Sequence, residues 1–474
     1  MDVLAGLPHE DRCAPSNPME ARVDKSTVDV EPVTEAATSR AMFEDWYTRN
    51  RARSRSLFDL LTDEAYYERP IALRHPIVFY EGHLPAFTFN TLIKRALGRP
   101  SIDPDLERLF ARGIDPHEQS ATADPAALWP SRQRVLAFAA EVDRQVSGVL
   151  ATEELNRPGH PLLDRAEAAF SVLEHEAMHQ ETLLYMWHRL PLSRKRRPAD
   201  YRPVTAGTPP AQEWRDVPAG AATLGVDRHA TPFGWDNEFP ARVEAVDTFA
   251  IDRHDVTNDA FLEFVEAGGY RDSRWWMPED WTWVLRERLE HPLFWDRDGA
   301  NWRWRGMFES FPLPAAWPAY VSFAEASAYA RWRGARLATE AEFQRAAFGS
   351  PDGERARPWP DASTASEVGN FDFSSWEPEP VGTHPRGASA WGVEDLVGNG
   401  WEWTCTPFAP FPGFRPMASY PEYSADFFDG EHFVMKGASP ATARELVRPT
   451  FRNWFRARYP YVYATFRCVR SSDR

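Results

Sequence analysis

The 474-residue sequence predicts a multidomain chain, an α-helical four-helix bundle followed by one α+β domain with much irregular structure. Three observations predict it. Apolar residues recur at three- and four-residue intervals through several long runs up to about residue 190. Ser193–Trp214, SRKRRPADYRPVTAGTPPAQEW, then turns basic and rich in Pro, Gly and Thr, as an interdomain linker does. Beyond it the helical period gives way to short segments, and 17 of the 20 tryptophans lie at or after Trp214, so indoles there partly stand in for regular packing. The division expected is a disordered leader over 1–39, the bundle over 40–195, a linker over 196–213 and the second domain over 214–474.

The formal net charge of −16 argues against nucleic acid or an anionic membrane as a partner, since both require a basic footprint. No apolar run approaches the roughly 20 residues that span a bilayer, and no segment resembles a signal peptide, so a cytoplasmic location is expected. Three cysteines without a Cys-x-x-Cys pair form neither a disulfide framework nor a zinc ribbon.

In the bundle, Phe43, Trp46, Tyr47, Leu57, Leu60 and Leu61 mark a first helix from Arg40. A second follows Pro76 over Ile77–Leu97, with His83 among Phe79, Tyr80, Phe87 and Phe89. Taken alone, a histidine there is a core residue bonded to a carbonyl. A short helix is expected around Asp105–Arg112, and a long one at Arg132–Thr152, where Val135, Leu136, Phe138, Val142 and Val146 share a face. The last runs uninterrupted from Asp164 to Leu190, with Asp164 and Glu167 as a capping-box-like start.

That last helix carries LEHEAMHQETLLY at Leu173–Tyr185. His175 and His179 stand four residues apart, one turn apart on one face, so both can reach a single metal ion. The spacing equally fits histidines satisfied by hydrogen bonds or standing at the surface. HEAMH at His175–His179 has the His-Glu-x-x-His spacing, with Glu176 directly after the first histidine. Three neutral imidazoles with open positions would suit Fe(II), Zn(II) or Cu(II).

In the second domain, Phe249–Asp255 followed by Thr257–Glu266 reads as a strand turning into a helix. Ser322–Trp332 followed by Arg336–Glu340 reads as a helix returning to a short strand or loop. The segments around Gly225–Trp235, PAYVSFAEASAYARW at Pro318–Trp332, RLATEAEFQRAA at Arg336–Ala347, GNGWEWTCTPF at Gly398–Phe408 and FRNWFRARYPYVYATFRCVR at Phe451–Arg470 together resemble the formylglycine-generating-enzyme-type fold, a C-type-lectin-like α+β domain. The bundle, with His83 and His175-x3-His179-x-Glu181, resembles the DinB-like domain that precedes this fold in the ergothioneine and selenoneine synthases. The pairing carries the resemblance, since either fold alone hosts many functions.

The resemblance implies an iron held by His83, His175 and His179, and a reaction that uses Fe(II) and O2 to attach sulfur or selenium to C2 of the imidazole of hercynine. It implies that Asn453 and Trp454 line the hercynine site, and that Trp401 and Trp403 are structural. A trimethylammonium ion cannot donate a hydrogen bond, so an aromatic surface is its natural receptor. The sequence departs from the thiol-using members at the donor. Phe455 stands where they carry an Asp, Trp129 and Pro130 stand in PAALWPSRQR where a basic residue is expected, and Met178 replaces a Gln. Arg132 and Arg134 are expected to face solvent from a first helical turn. Losing groups that clamp a zwitterion points to a neutral selenosugar donor, as in the selenoneine branch. Met178 either packs or sets a thioether beside the metal.

The alternatives are a cysteine or γ-glutamylcysteine thiol as donor, a zinc-dependent thiol transferase, and a non-catalytic ligand-binding module. Formylglycine-generating chemistry relies on a cysteine pair, and Cys405 and Cys468 occupy what read as core positions. Tyr420, Tyr423, Tyr461 and Tyr463 are candidates for the acid or base.

Overall fold

The computed structural model describes residues 39–111, 129–360 and 365–471. Residues 1–38 of the expected leader, Arg112 at the end of the expected short helix, and Pro125–Leu128 lie outside the described residues.

Helix α1, Arg40–Asp59, starts at Ser39, whose hydroxyl accepts from the Met42 amide. Helix α2, Ile77–Thr88, follows Pro76 and is buried on every side, as its apolar sequence requires. The expected single helix to Leu97 changes form partway: Pro85 has no N–H to donate, and from Phe89 to Ala96 the chain is π-helical. Helix α3, Pro104–Leu109, is capped by Asp103, and α4, Arg132–Thr152, by Ser131. Helix α5, Glu167–Arg189, begins three residues later than the sequence suggests. Arg165 and Ala166 have φ of 56° and 57°, which a helix cannot continue. Asp164 makes no capping box; it accepts from the Gly159 amide, while Glu167 turns its carboxylate to the Ser419 amide and to Arg228 of the second domain.

The second domain carries two four-stranded sheets. One has the order Trp214–Val217, Phe249–Asp252, Cys468–Ser471, Arg336–Leu337, all antiparallel. The other has the order Asn453–Arg456, His432–Ala438, Gly400–Pro407, Ala464–Thr465, with the last pair parallel. Helix α6, Asn258–Glu266, is capped by Thr257, and α7, Phe323–Trp332, by a Ser322–Glu325 capping box, so both expected strand and helix alternations are present. Trp235, Trp295, Trp304, Trp317, Trp401 and Trp403 are fully buried.

The two halves share one hydrophobic core, continuous from Phe43 in α1 to Cys468 in the last strand. The stretch between them is pinned along its length. Tyr201 is buried and donates to Glu377, and the Trp317 indole donates to the Val204 carbonyl. No helix among the described residues is long and apolar enough to cross a membrane.

Candidate metal centre

Helices α2 and α5 bring His83, His175 and His179 together, with one ring nitrogen of each within 4.8 Å of the others. The expected carbonyl bond of His83 is present, and the same ring is brought to the other two histidines. Its Nδ1–H donates to the Phe110 carbonyl at 2.8 Å, which fixes the tautomer and leaves Nε2 aimed at His175 Nε2, 3.3 Å away. Burial holds all three imidazoles neutral: His83 is lowered to about 4, and His175 and His179 are pushed well below the ordinary range by burial first and by their neighbours second. The Nδ1 atoms of His175 and His179 are buried without a protein partner. Converging, neutral rings with unspent hydrogen-bonding capacity fit a cation. A divalent ion held by three uncharged donors keeps its full charge and open positions, and supplies Lewis acidity and, if redox-active, electrons.

The walls are aromatic. Phe87 stacks on His175 at 3.6 Å between centroids, and Phe79 stacks on His83 at 5.0 Å. Phe110 reaches His83 because residue 82 is glycine: a Cβ there would meet the Phe110 ring at 2.4 Å. Gly82→Ala is therefore expected to displace Phe110, free the His83 ring to rotate, and weaken metal binding about 10- to 100-fold, as loss of an outer-shell partner does; metal titration of the two proteins checks this.

Buried polar groups fix the ligand helix on its other faces. Glu176 accepts from Arg51 and Ser54 of α1. Glu181 accepts from the Trp401 indole, Ser439 and Thr442 across the domain boundary. Glu174 meets Arg448, which also pairs with Glu238. Burial raises Glu174 to about 7 even beside Arg448. Each carboxylate is spent on position, so α5 cannot rotate without breaking one of them.

Both halves of the chain match known families. The sulfatase-modifying factor enzyme 1-like domain matches residues 203–472 and the DinB superfamily matches residues 47–183. The chain is 35% identical over 425 residues to hercynine oxygenase of Mycolicibacterium smegmatis, covering 85% of this chain and 93% of that protein. The chain belongs to the hercynine oxygenase family. It is 43% identical over 251 residues to hercynine oxygenase of Mycobacterium tuberculosis, 52% of this chain and 57% of that one. Ergothioneine biosynthesis protein 1 of Neurospora crassa is 26% identical over 504 residues, 87% of this chain and 55% of that one. Membership makes this chain an oxidative enzyme of the ergothioneine-biosynthesis type, which overturns the alternative of a non-catalytic binding module.

In this hercynine oxygenase relative, the other residues singled out in the sequence are dispersed around the triad and through the core. Tyr420 stands beside the triad, its ring 6.1 Å from His175 and 5.1 Å from Phe87. Tyr423 follows at 5.8 Å from Tyr420, donates to Met178 Sδ at 3.3 Å, stacks on Trp235 and meets Trp454 edge-on at 5.1 Å. Trp454 stacks on Phe408 at 4.2 Å, and its amide bonds the Asn453 side chain. On the opposite face of that strand, Phe455 stacks on Tyr459 at 5.2 Å and abuts Tyr185. Tyr461 packs on Tyr459, and Tyr463 lies in the core against Tyr320, bonded to His188. Trp129 packs behind His83, stacked on Phe110 and edge-on to Phe79.

One expectation is corrected. Arg132 does not face solvent; it turns inward to Glu81 at 3.0 Å and over the Tyr66 ring, because Glu81 is buried on α2 and needs a cation. Arg134 is exposed and pairs with Asp103. Sequence reasoning placed Phe87 near His83 but not against His175, and it missed Phe110, Gly82 and Arg448, of which Gly82 left a signal as a glycine inside a helix beside a candidate ligand.

Proposed function

We propose that this chain is a nonheme Fe(II)- and O2-dependent enzyme that joins selenium from a selenosugar to C2 of the hercynine imidazole, with iron held by His83, His175 and His179. The C2–H and Se–H bonds break and a C–Se bond forms. In a sulfoxide-type outcome one oxygen atom stays on the chalcogen and the other leaves with both hydrogens as water. Trp454, Tyr423 and Asn453 form the face for the trimethylammonium group, and Tyr420, the candidate tyrosine whose ring lies nearest the triad, holds or moves the proton.

The observation that carries the donor reading is the face around residue 455. Phe455, Tyr459 and Tyr185 present rings and hydroxyls there, and Arg132, the arginine nearest the expected clamp, is committed to Glu81. A zwitterionic thiol would leave its ammonium without an acid at 455, whereas a neutral sugar needs none. A thiol donor is the second reading, favoured by the names of the relatives.

The test is competition. Iron-loaded protein receives hercynine, then O2, with a 1-selenohexose, γ-glutamylcysteine and cysteine offered separately, and products are followed by mass. The selenosugar is expected to give an O2-dependent hercynine adduct at a rate at least about tenfold above either thiol, corresponding to one mismatched charged contact. A sulfoxide from the thiols at the higher rate would replace this reading with the second.

A further inference from the structure

We infer that Phe87 is the positioning residue of His175: its ring, laid flat on the imidazole, sets the plane of a metal ligand that no protein hydrogen bond orients. The inference rests on the metal reading of the triad and is independent of which donor the enzyme takes.

The histidines are not steadied alike. His83 is held through its Nδ1–H by the Phe110 carbonyl at 2.8 Å, the usual device for an imidazole ligand. His175 turns Nε2 toward His83 Nε2, 3.3 Å away, and its Nδ1 is buried with no hydrogen-bond partner among the described residues. The torsion that turns an imidazole about its bond to Cβ is broad and roughly two-fold, so it does not by itself define the plane of the ring.

Phe87 supplies the missing constraint. It stands four residues after His83 on α2, so one helical face carries a ligand and also the ring that covers a ligand of α5. Its centroid lies 3.6 Å from that of His175 with 10° between the planes, closer and flatter than Phe79 on His83 at 5.0 Å and 18°. Both rings of the stack are buried, and Tyr420 meets each of them edge-on, at 5.1 Å from Phe87 and 6.1 Å from His175.

The geometry of the stack suits the metal-bound state. Carbon atoms in contact sit about 3.5 to 4.0 Å apart, so centroids at 3.6 Å leave the two rings overlapping with little offset. Two electron-rich rings disfavour so direct an overlap, because each presents a negative face. Coordination draws electron density out of an imidazole, and the positive face that results is attracted to the face of a benzene ring. The contact therefore strengthens as the ion is held, which a purely structural packing contact does not do.

The experiment uses the full-length protein loaded with Fe(II) and kept free of oxygen. Parent, Phe87→Leu and Phe87→Tyr are compared by metal titration and by proton NMR of the paramagnetically shifted imidazole N–H signals. Phe87→Leu, which keeps an apolar side chain in place, is expected to weaken Fe(II) binding about 3- to 10-fold, the worth of an aromatic pair. The N–H signal of His175 is expected to shift or broaden in that variant, while the signal of His83 stays where it is. Phe87→Tyr, which keeps the ring face, is expected to return the affinity to within about twofold of the parent and to restore the His175 signal. Unchanged affinity and spectrum in Phe87→Leu overturn the inference. Equal losses in the two variants overturn it as well, since the fit of the side chain in the core would then matter and the ring face would not. A parent that takes up iron without shifted imidazole signals overturns the metal reading itself, and the inference with it.

Discussion

The His175→Ala protein is expected to fold, to bind Fe(II) more than about 100-fold more weakly than the parent, and to give no O2-dependent product. An outer-shell loss alone typically costs 10- to 100-fold, and here a ligand is removed outright. Two neighbours suffer with it. Phe87 loses the ring it stacks on at 3.6 Å, and His83 Nε2 loses the nitrogen opposite it at 3.3 Å. The neutral, buried imidazole carries no ion pair, so its removal leaves a hole and costs about 1 to 3 kcal/mol of stability, which a chain with a core running through both halves tolerates. Iron stoichiometry and thermal unfolding, measured on the same sample, separate loss of the metal from loss of the fold. Retained iron at full stoichiometry would mean that the ion sits elsewhere.

The largest stability effect is expected at Arg448→Met. Arg448 is a single cation bridging two buried carboxylates, at 2.7 Å to Glu174 and 2.5 Å to Glu238, and it packs over Phe451 at 5.2 Å. Methionine keeps much of the stem but leaves both acids without their cation, and breaking a buried pair in this way costs about 3 to 5 kcal/mol. Because Glu174 precedes His175 on α5, the same change loosens the ligand helix from the second domain. Denaturant unfolding with the slope held common to both proteins reads the loss. A change under about 1 kcal/mol, the range of exposed ion pairs, would mean that the triad of charges is not buried in solution.

Much of the fold was legible in the sequence because local signals coincided. The apolar face marked by Val135, Phe138, Val142 and Val146 predicted α4 over the bounds it has, and Thr257 and Ser322 open the helices expected there. The signals misled where a side chain served a distant partner. Asp164 and Glu167 have the spacing of a capping box, yet Glu167 is used by Ser419 and Arg228, which no local pattern announces. Arg132 looked exposed at a first helical turn, and only the fold sets it against Glu81.

The site divides in the same way. His175 and His179 are visible as a pair because a helix fixes i and i+4 on one face, whereas His83 is joined to them only by the packing of α2 on α5. The device that aims His83 is a backbone carbonyl, that of Phe110, and a backbone carbonyl has no sequence signature. The surroundings of Phe455 are likewise assembled from distant segments, with Tyr185 and Tyr459 against its ring, so the substitution to Phe455 was readable but its aromatic neighbours were not.

The most direct measurement is an anomalous difference map at the iron edge, from crystals grown without oxygen in Fe(II) and hercynine. One peak per chain is expected at the point shared by the ring nitrogens of His83, His175 and His179, with the hercynine imidazole beside it and the trimethylammonium group against Trp454. Iron bound away from the triad, or hercynine lodged where its imidazole cannot approach the metal, would contradict it.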